Sequence, residues 1–144
     1  MKTSIVRLLT LLVFAAGVAA CQSDSPTAPP VFVGPAELQI TELRLGTGAT
    51  VLAGQTVDAG YSLWLYDPSV AEFKGTHIQT GRTPIRLAAG SVIQGWIVGV
   101  PGMKVGGVRR LLIPPSLAYG ATGNQGIPPN AWLVFDIEIF AATN

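Results

Sequence analysis

Two stretches of strict alternation constrain this chain more than any other feature. TVDAGYSLWLYD, residues 56–67, puts Val57, Ala59, Tyr61, Leu63 and Leu65 on one side of an extended chain and Asp58, Ser62, Trp64 and Tyr66 on the other. WLVFDIEIF, residues 132–140, sets Leu133, Phe135, Ile137 and Ile139 against Asp136 and Glu138. Successive side chains of a strand point to opposite faces, so each stretch has one apolar face that must be covered. ELQITELRLG adds Leu38, Ile40 and, after an irregularity, Leu43 and Leu45, the mark of a half-buried strand with a bulge. VRRLLIP reads as another strand and IRL, residues 85–87, as a short one.

One segment departs from this period. In SVIQGWIVGVPGM, Ile93, Trp96, Ile97 and Val100 recur at helical spacing, Ser91 is placed to cap the start, and Pro101–Gly102 ends the run. The expected architecture is α+β, a curved antiparallel sheet with one short helix covering its apolar face. GTGATVLAGQ is a turn-rich connection, and PSVAEFKGTHIQTGRTP reads as a polar loop carrying Phe73. With 49% hydrophobic and 12% charged residues in 144, composition fits a single compact domain.

The first residues have a different logic. MKTSIVRLLTLLVFAAGVAAC places Lys2 and Arg7 ahead of an apolar run too short to span a bilayer comfortably, followed by small residues, the layout of a secretory signal. Its end, VAAC, resembles the lipobox of bacterial lipoproteins, whose cysteine becomes the acylated first residue. Cys21 is the only cysteine, so it has no intramolecular disulfide partner, and lipidation accounts for it. QSDSPTAPPVFVGP then reads as a flexible, partly extended tether. The organisation expected is a signal peptide over 1–20, lipidated Cys21 and linker over 21–36, and a folded domain over 37–144. Removal of Lys2 and Arg7 leaves seven basic and eight acidic residues, which offers nucleic acid no basic patch.

Most catalytic chemistries find no place to start. His77 stands in the polar stretch without Cys, Asp or Glu spaced for a metal site, so it is expected to be a solvated loop residue. There is no Gly-x-Ser-x-Gly elbow, phosphate-binding Gly-Lys-Ser/Thr loop or dinucleotide fingerprint. Asp58, Asp67, Asp136 and Glu138 are scattered without evident pairing for acid–base work. An enzyme built from this chain needs a reaction without nucleophile, metal, cofactor or proton shuttle.

VIQGWIVGVPGMKVGGVRRLLIPPSLAYGATGNQGIPPNAWLVFDIEI, Val92 to Ile139, resembles the C-terminal half of the FKBP-type peptidyl-prolyl cis-trans isomerases, and GYSLWLYD resembles their tyrosine-bearing strand. The likeness covers roughly residues 38–140. It implies a curved antiparallel sheet wrapped around a short helix, isomerisation of X-Pro bonds, and proline-containing polypeptides as partners of a monomer. Position by position it implies catalytic roles for Tyr61, Phe73, Trp96, Tyr119 and Phe135, with Trp96 as the floor of the pocket and the Tyr119 hydroxyl meeting a substrate carbonyl. Val92, Ile93 and Ile127 become substrate-binding residues. Family members carry an aspartate after the phenylalanine; matched on Phe73, that position is Lys74, which would face the site with a cation and loosen Tyr61. Asn124 stands where some members have a histidine.

Two functions follow, an exported, envelope-anchored isomerase and a weak or inactive binding module in which Lys74 has spoiled turnover. A purely structural envelope domain is a third, against which stands the retention of the whole aromatic set. Gln22 after the cysteine points to the outer membrane, facing the periplasm, under one lineage-dependent sorting rule.

Overall fold

The computed structural model describes residues 29–144; the expected signal segment 1–20 and Cys21 lie outside the described residues. Five strands form one antiparallel sheet: β1 (Gln39–Arg44), β2 (Thr56–Tyr66), β3 (Lys74–Arg86), β4 (Val108–Ile113) and β5 (Leu133–Thr143), in spatial order β1-β4-β5-β2-β3. One short helix, α1 (Gln94–Gly99), follows β3, and the sheet curves around it.

The alternations in β2 and β5 appear as read. Val57, Ala59, Leu63 and Leu65 are buried, as are Leu133, Phe135, Ile137 and Ile139, and Leu111 and Ile113 of β4 join them with Trp96 and Val100 from the helical segment. The helix lies close on β4. A Cβ added at Gly95 would stand 2.5 Å from Ile113 Cγ2, a distance that leaves no room for any side chain. That approach seats Trp96 against the concave face.

Three local expectations differ. The segment read as polar loop plus short strand is the thirteen-residue strand β3, paired along β2 from Thr56↔Arg86 to Tyr66↔Lys74. It is an edge strand with little apolar surface to bury, which is why its sequence looks like a loop and why Pro84, which donates no ladder hydrogen bond, is accommodated. His77 is accordingly a strand residue, its ring 5.6 Å from that of Trp64 and its Nε2 2.9 Å from Thr80 Oγ1. At the helix start the capping position is Ile93, the last extended residue, with no side-chain cap; Ser91 lies two residues too early.

β1 has the expected irregularity, a register shift between Glu42 and Arg44, but all six of its residues are exposed rather than half-buried. It is tied down by charge. Arg109 of β4, only 8% exposed, donates through Nε to Glu42 Oε1 at 2.6 Å and through Nη1 to the carbonyls of Gly99 and Pro101 at 2.5 and 3.2 Å. One guanidinium thus joins β1, β4 and the end of α1. Before β1, Pro30, Val31 and Phe32 share a crevice with Leu65, Tyr66, Ala131 and Trp132, and Trp132 Nε1 donates to the Pro35 carbonyl at 2.9 Å. Among the described residues no helix is long and apolar enough to cross a membrane.

Candidate active site

On the concave face, between the sheet and the N-terminal end of α1, lies a cleft of about 270 Å³. Its wall is set by strand alternation. Tyr61 and Leu63 come from β2, Phe135 from β5, and Gln79, Thr83 and Ile85 from β3; Ser91, Val92, Ile93 and Trp96 arrive with the helix, and Tyr119 with the connection between β4 and β5.

Three rings pack together, two of the pairs edge to face and the third tilted. Trp96 and Phe135 have centroids 5.5 Å apart at 87°, Tyr61 and Trp96 5.6 Å apart at 86°, and Tyr61 and Phe135 6.2 Å apart at 53°. This arrangement suits the ring quadrupoles and fixes each ring by its neighbours. Trp96 is only 3% exposed, so the indole forms a floor rather than a surface feature.

The rim holding Tyr119 is a glycine- and proline-rich loop that bonds to itself. The Pro115 carbonyl accepts from the amides of Ala118 and Gly120, Gly123 N–H donates to the Tyr119 carbonyl at 3.2 Å, and Asn130 N–H donates to the Gly120 carbonyl at 2.8 Å. Asn124 and Ile127 exchange backbone hydrogen bonds at 3.0 and 2.8 Å, and Asn124 Oδ1 accepts from the Gln125 amide. Tyr119 therefore stands on a braced turn. Ile127 packs into the core cluster, 7% exposed, and does not line the cleft.

The structure therefore brings together Tyr61, Val92, Ile93, Trp96, Tyr119 and Phe135. It does not bring Phe73 or Lys74. Phe73 sits in a single 3-10 turn before β3, 47% exposed, with its ring 5.5 Å from that of Tyr66 on the opposite face. Lys74 pairs in register with Tyr66, whose side chain points away from the core, so it too is on the convex side. Its ammonium lies 2.7 Å from Asp136 Oδ2, 2.8 Å from Glu72 Oε2 and 4.5 Å from the centre of the Trp64 ring. Arg110 completes the group, with Nε 2.6 Å from Asp136 Oδ1. Burial works against the charge on Asp136, yet the hydrogen bonds from Arg110 and Lys74 hold its carboxyl below the usual carboxylate range. Of the carboxylates that looked unpaired in the sequence, Asp136, Asp58 and Glu138 have basic partners, while Asp67 accepts from Ser69 N–H and Oγ. Asp58 takes Arg82, and Glu138 takes Arg44.

The residue that does meet Tyr61 is Gln79, whose Nε2 donates to the phenolic oxygen at 2.6 Å. Sequence reading missed it because the segment was assigned to a loop. Strand alternation through Gln79, Gly81, Thr83 and Ile85 is the signal that finds it. Among the side chains lining the cleft, the titratable ones are the phenols of Tyr61 and Tyr119, with no carboxylate, imidazole, thiol or amine beside them. Ser91 has no base at hand. Such a cavity can desolvate a bound group, orient it by hydrogen bonds and hold it against aromatic faces; it has no group to attack a bond.

A family model described as FKBP-type peptidyl-prolyl cis-trans isomerase matches residues 48–140. The chain belongs to the FKBP family. FK506-binding protein 4 of Chaetomium thermophilum is 45% identical over 102 residues, covering 69% of this chain and 20% of the relative. Peptidyl-prolyl cis-trans isomerase FKBP53 of Arabidopsis thaliana is 58% identical over 62 residues, 41% of this chain and 13% of the relative. The chain thus spans about a fifth or less of the length of these relatives. Among solved structures, a peptidyl-prolyl cis-trans isomerase from Pseudomonas syringae superposes with a TM-score of 0.63 at 35% identity, covering 74% of this chain and 76% of that one. AtFKBP13 gives 0.62 at 31% identity, with 77% and 97% covered. A bacterial lipoprotein form does not follow from this membership.

Ile78 packs on the core, and Gln79 supplies the polar contact to Tyr61. The turn between β2 and β3 leaves Phe73 and Lys74 on the outer face.

Proposed function

We propose that the protein is a peptidyl-prolyl cis-trans isomerase acting on X-Pro bonds of exported polypeptides. The observation that carries this reading is the cleft floored by Trp96, walled by Tyr61 and Phe135 and free of charged side chains. A planar amide is held by resonance, and rotation about its C–N bond faces a barrier of about 18–20 kcal/mol. The twisted transition state has lost that resonance and much of the charge separation that water solvates. An apolar aromatic site therefore disfavours the planar, polar amide relative to the twisted one. The prolyl ring suits the Trp96 floor, and the Tyr119 hydroxyl can hold a backbone carbonyl in register while the bond turns. No proton, metal or covalent intermediate enters. The cleft volume lies below the roughly 300–1,000 Å³ of pockets for drug-sized ligands, which suits a short piece of chain.

A weak or inactive binding module, in which Lys74 has spoiled turnover, is the second reading; against it stands the pairing of Lys74 with Asp136 and Glu72 on the convex face. Proline-limited refolding of a substrate protein tests the enzyme reading with residues 22–144. Acceleration over the uncatalysed phase of tens to hundreds of seconds is expected, and rates equal to that phase would refute it. Tyr119→Phe is expected to lower kcat/KM roughly three- to tenfold, the worth of one hydrogen bond, with the urea midpoint unchanged.

The same reading places the domain at the bacterial envelope through an acylated Cys21, with the linker as spacer. Its support is the signal-like run, the VAAC sequence and the lone cysteine. Cys21→Ser is expected to move the exported protein from the membrane fraction to the soluble one; unchanged membrane association would overturn the anchor.

A further inference from the structure

We infer that the end of the domain at which the chain enters the fold is a membrane-contact surface that presents Val31, Val33, Val70 and Phe73 to a lipid bilayer, an inference that rests on the reading that Cys21 is acylated. Pro30 to Pro35 do not trail from the fold. Pro30, Val31 and Phe32 share a crevice with Leu65, Tyr66 and Trp132. Trp132 Nε1 donates to the Pro35 carbonyl at 2.9 Å, and Gly34 lies so close on the indole that a Cβ there would stand 2.6 Å from Trp132 Cδ1. The segment is a strap held against the end of β2 and the start of β5.

Tyr66 joins this strap to the turn between β2 and β3. It lines the crevice with Val31, and it lines a groove of about 440 Å³ with Pro35, Phe73 and Leu112. Its ring lies 5.5 Å from that of Phe73, whose amide donates to the Val70 carbonyl at 3.2 Å. Glu72 and Phe73 have φ values of 58° and 60°, in the left-handed region that a bulky side chain rarely adopts. The turn that holds them there leaves Val70 and Phe73 exposed, and strain of this kind gathers at sites of contact. On the strap, Val31 is exposed and Val33 is 80% exposed. Two separate segments thus turn apolar side chains outward around one tyrosine.

What covers this patch follows from where the chain goes. Seven residues, 22–28, separate Cys21 from Pro29, the first described residue, so an acylated Cys21 stands no further than about 28 Å from the start of the strap. Anchor and patch share one short leash. A contact too weak to hold a free domain becomes effective once such a tether raises its local concentration to about the millimolar range. The neighbouring cations, Lys74 and Arg110, are committed to Asp136 and Glu72, so the attraction is apolar and does not call for anionic lipid. The cleft lies the other way along β2. Ile85 of its wall is opposite Val57, whereas Leu65 is beside the strap, about 26 Å along the strand. Contact at the strap end therefore leaves that wall turned to the soluble phase, from which polypeptide substrates arrive.

Cys21 is the only cysteine, so in an acylated chain a cysteine introduced elsewhere alone takes a thiol-reactive, polarity-sensitive fluorophore. The full chain, produced in a bacterium and reconstituted in phosphatidylcholine vesicles with a nitroxide on the upper acyl chain, is labelled at Val33→Cys or Phe73→Cys. The control is Leu52→Cys, an exposed apolar position just before β2, at the far end of that strand. Quenching at 33 and 73 is expected to be several times that at 52, and unchanged by molar salt or by anionic lipid. Quenching at 33 and 73 no greater than at 52, in an acylated and vesicle-bound chain, would overturn the surface and leave the anchor standing. A blue-shifted but unquenched label there would put protein on the patch, and quenching that needs anionic lipid would assign the contact to charge; either overturns the proposal. A chain whose Cys21 remains a free thiol by mass spectrometry sinks the anchor and this orientation with it.

Discussion

Lys74 illustrates how one residue's meaning depends on the face it occupies. Placed beside the cleft it would set a cation against a substrate carbonyl; on the convex face it neutralises Asp136 and Glu72 and lies over Trp64. The bonds to Asp136 and Glu72 outweigh the effect of burial and raise its pKa. Lys74→Asp would put a third carboxylate against two others. It is expected to lower unfolding stability by about 1–3 kcal/mol while leaving kcat/KM of the folded protein unchanged, measured by urea unfolding alongside the isomerase assay. A gain in turnover would put this side chain back in the cleft's chemistry. The burial of Trp96, by contrast, was legible from its place on the apolar stripe of the one helical segment, and its role as the floor of the cleft from the family resemblance.

Among the elements, α1 owes its position to neighbours rather than to its own propensity. It has six residues, no side-chain cap and glycines at 95 and 99. A helix this short is not stable alone. Burial of Trp96 and the Arg109 guanidinium at the carbonyls of Gly99 and Pro101 hold it in place. Arg109→Met keeps much of the aliphatic bulk but strips those carbonyls and Glu42 of their donor. A loss of about 2–4 kcal/mol in urea unfolding is expected. Isomerase activity should fall more steeply with temperature than in wild type, since α1 carries Trp96 into the cleft. Unaltered stability would mean that packing alone seats the helix. β3 makes the complementary point. Its polar sequence has no apolar alternation strong enough to announce a strand, and only pairing with β2 makes it one.

For the molecule as a whole, the two faces of the sheet divide the work. The concave face carries the core and the cleft, with Arg109 and Glu42 paired at the end of α1, and the convex face carries the Lys74–Asp136–Arg110 group, in which Asp136 is the most enclosed of the acids whose pKa is shifted. Asp136, Glu72 and Asp58 are all held below their ordinary pKa values. A depressed folded-state value means that their stabilisation is present above the unfolded carboxylate range and is lost as pH falls through the folded value. Unfolding stability is therefore expected to decline below about pH 4, and Asp136→Asn to be less stable than wild type at neutral pH with a shallower acid limb. Chemical denaturation across pH measures both. A mutant limb as steep as wild type would assign the acid sensitivity to other carboxylates.

The sequence by itself determined which faces of β2 and β5 are buried and where the helix falls, because period and turn chemistry are local properties of the chain; that Tyr61, Trp96, Tyr119 and Phe135 meet in one cleft was what the family resemblance implied. Likeness in the stretch from Val92 to Ile139 also carried the family, later matched over residues 48–140. What only the tertiary structure decided is the neighbour of the Tyr61 hydroxyl. That depends on the register of an edge strand whose polar residues carry little periodic signal. Phe73 and Lys74 are next to each other in sequence and look like the expected pair, yet pairing in space puts them outside and brings Gln79 to the tyrosine. Register is a long-range property, fixed by where the strand finds its partner.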